Sequence, residues 1–338
     1  MRLTIFAPSL FSELAESYDQ SFDARRWPSL ALLIARAKAE RLGSDSAEEN
    51  LLSLCGLPTI DSSALPIAAL TALVDCDRTE EAGLMRIDPV HLRADPNQIL
   101  LFNSPAIAPS AEEADSLLDS LNRGMPELGI FRGRHAARWY VKSGPENSAT
   151  TCSPNSASGR SIADFLPQGS SARILAQTIN EAQMVLHDAP VNLARDTDGK
   201  PAINSIWPWG GGSLGCFKAE RPDLLIGNDG VLCGVAKHTS TNWVSQLSIE
   251  QLFIEYSPTP AHVLCVVSSP NGSVDGAEQN VNLDEFDRDW AKAIIELLRR
   301  FKLEWVRIVT DRESFRATPW DIYSVWRRSV ADLVGRND

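Results

Sequence analysis

Apolar and polar positions alternate from Leu3 to Ala7, which predicts a first strand ended by Pro8-Ser9. The period then becomes helical. Leu30, Leu33, Ile34, Ala37 and Arg41 share a face behind Pro28, predicting a helix to about Leu42 with Gly43 as its C-cap. Ser46 and Glu49 form a capping box for a short helix ending near Gly56, and residues 57–75 read as an apolar connection with another short helix. Strands are predicted over Met85–Leu92 and Gln98–Phe102, joined by the turn Ala94-Asp95-Pro96-Asn97. Ser110 and Glu113 open a helix that turns Leu117, Leu118 and Leu121 inward and stops at Gly124. Ile130-Phe131 and Arg138–Lys142 are further strand candidates, and residues 143–160, rich in Ser, Asn, Gly and Pro, read as a long surface loop or flexible arm.

The clearest helical stripe runs from Ser171 to Leu186 through Ile174, Leu175, Ile179, Ala182, Val185 and Leu186. An irregular stretch from His187 to Pro201 precedes a strand over Ala202–Trp207 that leads into Gly210-Gly211-Gly212. Val231–Ala236 and Ala261–Ser268 are unbroken apolar runs of the kind found in strands buried on both faces. A helix over about 284–301 and a strand from Trp305 to Thr310 complete the pattern. Strands alternating with helices predict an α/β fold with a mainly parallel central sheet and flanking helices. Residues 1–75 and 169–338 are expected to build that core, with residues 76–168 inserted as a small α+β module.

Composition adds exclusions. The 338 residues are 43% hydrophobic and 22% charged, ordinary for a globular chain. Forty-four acidic residues against 32 basic give a net charge of −12, a surface that repels phosphate backbones, so no nucleic-acid partner is expected. A local pocket of two or three Arg for one small anion is still compatible with that charge. None of the six cysteines forms a C-x-x-C pair, so they read as reduced thiols, with Cys233 and Cys265 as small core hydrophobes. The apolar start is broken at Pro8, and no run approaches the ~20 apolar residues of a membrane span. A cytoplasmic protein with no membrane partner is the expectation.

The most distinctive chemistry lies in His187-Asp188-Ala189-Pro190-Val191-Asn192-Leu193-Ala194-Arg195 and its continuation through Asn204 to Gly210-Gly211-Gly212. Ligands of α/β sheets sit beyond the carboxyl ends of strands, where glycines let backbone N–H groups approach an anion. Arg195 offers a bidentate partner for phosphate or carboxylate. The plain alternative is that the asparagines cap turns and the glycines bend the chain past two tryptophans. His91 and Arg93, beside Asp88 and Asp95, either face this loop from the inserted module or form a surface ion-pair cluster. Gly211-Gly212-Ser213-Leu214-Gly215 matches G-x-S-x-G, a weak serine-hydrolase signal for Ser213 with His238 or His262, because Pro222 follows too soon for a good helix.

The stretch from His187 to Gly212 resembles the "HPVN…R…G.P.AN.I…G.G" segment of archaeal-type cofactor-independent phosphoglycerate mutases, members of the alkaline phosphatase superfamily, a resemblance specific over about residues 163–212. Over nearly its full length the chain resembles the RpfE-type regulatory proteins of proteobacteria. That resemblance rests on Asp88-Pro89-Val90-His91-Leu92-Arg93, Arg138-Trp139-Tyr140, Leu166-Pro167-Gln168-Gly169 and Asp284–Trp290. It implies an alkaline-phosphatase-like core whose enzymes use two metal ions, with ligands in three places. At each the chain departs from the pattern. The first strand ends Ala7-Pro8-Ser9 instead of Asp-Gly, residues 268–277 lack the Gly-His, and Asp311-Arg312-Glu313-Ser314 replaces Asp-His-Ser-Thr-Pro.

The expectation is therefore a degenerate, non-catalytic relative without metal or other cofactor. It would bind a small anionic, phosphorylated metabolite or a protein partner in a regulatory role. His187, Asn192, Arg195, Asn204 and Gly210–Gly212 are the candidate ligand residues, faced by His91 and Arg93. A metal-dependent mutase or phosphotransferase with an unrecognised site is the enzymatic alternative.

Overall fold

The computed structural model describes residues 1–8, 10–11, 24–44, 46–57, 65–76, 83–142, 149–215, 220–256, 259–267, 282–310 and 312–323. The chain divides into two compact units. One collects Met1–Pro58, Phe217–Ser273 and Gln279–Asp338, and the other Thr59–Cys216 with Val274–Glu278. In chain order the strands are β1 (Arg2–Phe6), β2 (Lys38–Arg41), β3 (Leu84–Asp95), β4 (Gln98–Phe102), β5 (Phe131–Arg132) and β6 (Trp139–Lys142). They continue as β7 (Ser205–Trp209), β8 (Leu224–Ile226), β9 (Asn242–Val244), β10 (His262–Val266), β11 (Trp305–Val309) and β12 (Glu313–Ala317).

The first unit holds a seven-stranded sheet in the order β2-β12-β11-β1-β10-β8-β9. Strands β11, β1, β10, β8 and β9 run parallel, while β12 is antiparallel to both β11 and β2. The α/β class with a parallel-rich sheet and flanking helices is thus as expected. Its core packs Leu3, Ile5, Val263, Cys265, Val306 and Ile308 against helix residues such as Leu30, Leu33, Ile34, Ile294 and Leu298.

Two local readings change here. The helix from Pro28 stops at Arg36, and Lys38–Arg41 becomes edge strand β2, paired with β12. Val231–Ala236 is helical, not a strand. Gly230–Thr239 forms a helix whose N-cap Asp229 accepts a 2.8 Å bond from the Leu232 N–H. Near the chain's end, Asp287 lies in a π-helical turn, Phe286–Ala291, and its Oδ1 accepts from the Leu30 N–H at 2.6 Å. It thereby satisfies an otherwise orphaned donor in the first turn of the Pro28–Arg36 helix, whose own N-cap, Trp27, makes no side-chain cap bond.

The second unit is built on antiparallel pairing: β4-β3-β6-β5, with β7 also paired to β3. The helix Ala172–His187 buries Leu175, Ile179, Ala182 and Leu186, and the predicted Ser110 capping box is formed in the helix Ala111–Gly124. The expected boundaries at 76 and 168 therefore move. Residues from Thr59 and as far as Cys216 belong with this unit, because β7 hydrogen-bonds along β3 from Val90–Ser205 to Arg86–Trp209. The segment expected to be irregular after His187 contains a helix, Pro190–Thr197, opened by Pro190 at its first position.

Candidate functional site

All nine residues expected to bind a ligand lie in the second unit, so none faces the others across a domain boundary. His187 is exposed at the end of its helix. Asn192 is buried, and each of its amide atoms has a partner. Its Nδ2 donates to the carbonyls of Leu186 (2.8 Å) and Ile203 (2.9 Å), and its Oδ1 accepts from the Ile203 N–H (2.8 Å). Arg195 is 2% exposed. Its Nε donates to the Pro201 carbonyl at 2.8 Å, its Nη1 to Glu113 Oε2 at 2.7 Å, and its Nη2 to the Ile107 carbonyl. Glu113 is also the carboxylate of the capping box at Ser110, so one acid serves a helix start and a buried guanidinium.

Asn204 pairs with the Leu92 backbone in both directions, accepting from its N–H at 2.7 Å and donating to its carbonyl at 2.9 Å. This extends the β3–β7 ladder with a side chain. His91 and Arg93 flank that point. The His91 Nδ1 lies 2.8 Å from the Ala202 carbonyl, and the Arg93 guanidinium sits 4.8 Å over the Phe102 ring while its Nε approaches Asp95 at 3.4 Å.

The glycines are packed rather than open to an anion. Gly210 has φ +66°, and a Cβ there would stand 2.9 Å from the Ile67 Cβ; its carbonyl accepts from the Ala68 N–H at 2.9 Å. A Cβ on Gly211 would meet the Met85 Cε at 2.9 Å, and the Gly212 N–H donates to the Leu65 carbonyl at 3.0 Å. The polar side chains of this segment are thus satisfied within the fold. Ser213 lies in an irregular stretch through Gly215, so no elbow forms as far as that residue, and His238 and His262 belong to the other unit.

The residues that sequence reasoning missed form a buried polar network on the same sheet. Period-two alternation puts Arg86 and Asp88 on one face of β3. Arg86, fully buried at 0% exposure, makes a bidentate pair with Asp88, Nε–Oδ1 3.0 Å and Nη2–Oδ2 2.6 Å. Its guanidinium stacks 4.7 Å over the Trp209 ring, and the Trp209 Nε1 donates to Asp88 Oδ2 at 2.8 Å. Trp209 stands directly opposite Arg86 across the β3–β7 pair. Nearby, Arg138 Nη1 donates to Asp75 Oδ1 at 2.9 Å, and the Tyr140 hydroxyl donates to Asp75 Oδ2 at 2.8 Å. Burial, with the Asp75 carboxylate adding to it, pushes the Tyr140 phenol well above its ordinary range, so it stays protonated as a donor. Arg138-Trp139-Tyr140 had been singled out through the resemblance, and Asp88 both there and as a charge beside His91 and Arg93. The available signal for Arg86 was a charge at i−2 from an aspartate inside an apolar strand.

In the first unit, the carboxyl edge of the parallel sheet is where such folds place ligands. At the end of its central strand β1, Ala7 is buried, and its N–H donates to the Val309 carbonyl at 2.8 Å. The Val267 N–H donates to the Phe6 carbonyl at 2.9 Å, and the Thr310 hydroxyl to the Glu313 carbonyl at 3.1 Å. Of the other two places where the resemblance put metal ligands, residues 268–277 and Asp311 lie outside the described residues, and the Glu313 and Ser314 that follow belong to strand β12. Among the described residues no group of three or more His, Cys, Asp or Glu is arranged to hold a metal, and no helix is long and apolar enough to cross a membrane.

Comparison with known proteins places a likeness on the second unit. The family model described as "2,3-bisphosphoglycerate-independent phosphoglycerate mutase" matches residues 67–192. A protein of that name from Methanosarcina barkeri is 34% identical over 115 residues, 33% of this chain and 29% of the relative. A probable enzyme of that name from Geobacter sulfurreducens is 29% identical over 152 residues, 44% of this chain and 37% of the relative. The structure titled cofactor-independent phosphoglycerate mutase from Thermoplasma acidophilum aligns over 94% of this chain and 89% of its own, with a TM-score of 0.41 and 15% identity. The sequence matches thus span about a third of the curated relatives' length. Over residues 67–192 the chain is therefore similar to the 2,3-bisphosphoglycerate-independent phosphoglycerate mutases.

Proposed function

We propose that this chain is a non-catalytic relative of the 2,3-bisphosphoglycerate-independent phosphoglycerate mutases that acts by binding, in a regulatory role. The observation carrying this reading is Ala7. In the likeness drawn from sequence, the first strand should deliver a metal-ligating aspartate to the carboxyl edge of the sheet. Here the central strand delivers a buried methyl group instead. Two-metal phosphoryl transfer needs several anionic or imidazole ligands converging at strand ends, and an alanine supplies none. The family-like polar residues support the same reading, because Asn192, Asn204 and Arg195 serve the scaffold with the atoms a ligand would need. This favours a protein partner over a small phosphorylated acid.

The test is an assay for interconversion of 2- and 3-phosphoglycerate, with and without added Mn²⁺, Mg²⁺ or Zn²⁺, alongside metal analysis of the purified protein. No turnover under any condition and substoichiometric metal are expected. Turnover that appears on adding a divalent ion, or a stoichiometric metal in the isolated protein, would establish the mutase alternative.

A further inference from the structure

Phe301, Trp320 and Tyr323 form an exposed aromatic cluster in the first unit. They are 55%, 73% and 54% exposed. Phe301 lies 5.5 Å from Trp320 in an edge-to-face arrangement and 6.5 Å from Tyr323 in a stacked one. The Tyr323 hydroxyl donates to the Arg299 carbonyl at 3.1 Å, tying the cluster to the end of the helix Lys292–Arg299.

The backbone makes the exposure of Phe301 unusual. The helix ends in a complete Schellman motif, with the Phe301 N–H on the Leu298 carbonyl (3.0 Å) and the Lys302 N–H on the Leu297 carbonyl (2.9 Å). Phe301 occupies the left-handed position of that motif with φ +55°, where glycine is the residue free of strain. A bulky side chain is thus held in a strained conformation with more than half its surface in water. Strain of this kind persists where the surroundings impose it, and it clusters at functional positions.

The charge around the cluster selects a partner. Arg299, Arg300 and Lys302 put three cations and no acid into residues 299–302, in a chain of net charge −12. Glu296 and Glu304 are the nearest acids in sequence, and Asp321 accepts from the Thr318 N–H and hydroxyl at 2.9 and 2.7 Å. Tryptophan, tyrosine and arginine are the residues most enriched at binding hot spots. We propose that this cluster and its basic rim are a docking surface for an acidic protein segment that carries an aromatic or aliphatic anchor. A second copy of the chain fits poorly, because a two-fold contact through the patch would set its cations against their own copies. The inference does not depend on whether the chain turns over a substrate, and mutase activity would leave it standing.

The test uses fluorescence anisotropy of the full chain at low salt with a labelled random copolymer of glutamate and tyrosine, and polyglutamate as the control without anchors. An acidic protein repels both polymers in general, so binding reports a local basic surface. The wild type should bind the copolymer at least about tenfold more tightly than polyglutamate, the range a few hot-spot contacts supply. Phe301→Gly and Arg300→Glu should each weaken binding at least about tenfold, and Phe301→Gly should do so with no fall in Tm. The proposal is overturned if the wild type does not bind, if polyglutamate binds as well as the copolymer, or if Phe301→Gly binds like the wild type. Should Phe301→Gly unfold, Arg300→Glu decides alone. A wild-type dimer in sedimentation that Arg300→Glu dissociates would also overturn it, in favour of self-association.

Discussion

The segment from His187 to Gly212 and the segment from Arg299 to Tyr323 invert each other. The first is rich in polar side chains and glycines, and its Asn192, Arg195 and Asn204 bond to the protein's own backbone and to Glu113. The second ends in aromatic side chains that face water beside three cations. Residue type alone leaves the first open to a binding loop or a structural one. Hydrogen-bond satisfaction and exposure separate the two segments. A buried polar group with every partner inside the fold is a constraint on folding, whereas exposed aromatic area that the backbone holds at some cost is available to another molecule.

That contrast can be broken most sharply at Asp88. Asp88→Ala leaves Arg86 buried with its carboxylate removed, and should cost about 3–5 kcal/mol of unfolding free energy in urea titrations. A loss below about 1 kcal/mol would show that the network is not structural. Arg195→Met comes next, at about 2–3 kcal/mol, because the carbonyls of Ile107 and Pro201 and the Glu113 carboxylate lose their donor. If Arg195 instead served a ligand, the variant would keep its stability and lose only a metabolite-dependent Tm shift. Phe301→Gly should move stability the other way, raising it by up to about 1 kcal/mol as the left-handed strain is relieved.

The smallest effect is a pH dependence in the first unit. Burial, followed by the Arg2 charge, holds the His262 imidazole below its ordinary pKa, against the opposing pull of Asp223. The folded state then binds fewer protons than the unfolded one. Stability should rise with pH through the window below the unfolded value of about 6.5 and be lost as pH falls through it. His262→Gln should flatten that slope between pH 5 and 7, and an unchanged slope would assign it elsewhere.

Regular elements with strong periodicity were legible in the sequence. In the helix Ala172–His187, Leu175, Ile179, Ala182 and Leu186 fall at successive helical intervals and are buried. Ile174 sits about one-quarter turn off that stripe and faces water, which apolarity alone does not show. Strand β2 was hidden because Lys38-Ala39-Glu40-Arg41 is an exposed edge that needs no apolar face. The run Val231–Ala236 has no period to separate helix from strand, and the deciding signal was Asp229 just before it. The unit boundary was misplaced because β7 pairs with a strand more than a hundred residues earlier, information carried by register and not by composition. In the candidate site the sequence gives the functional groups, but their partners are mostly backbone atoms, which every residue possesses alike.

The position of β1 governs the order in which the protein can mature during synthesis. Residues 2–6 pair with residues 262–266 on one side and 305–309 on the other, so this strand is made long before either of the strands that flank it in the sheet. The strands of the second unit all come from residues 84–209, and they can close while that first strand is still waiting. Until translation passes residue 266, Leu3, Ile5 and Phe6 are an apolar segment without a strand to pair with, and until it passes residue 309 one edge of β1 stays open, the stage at which a nascent chain most needs a chaperone.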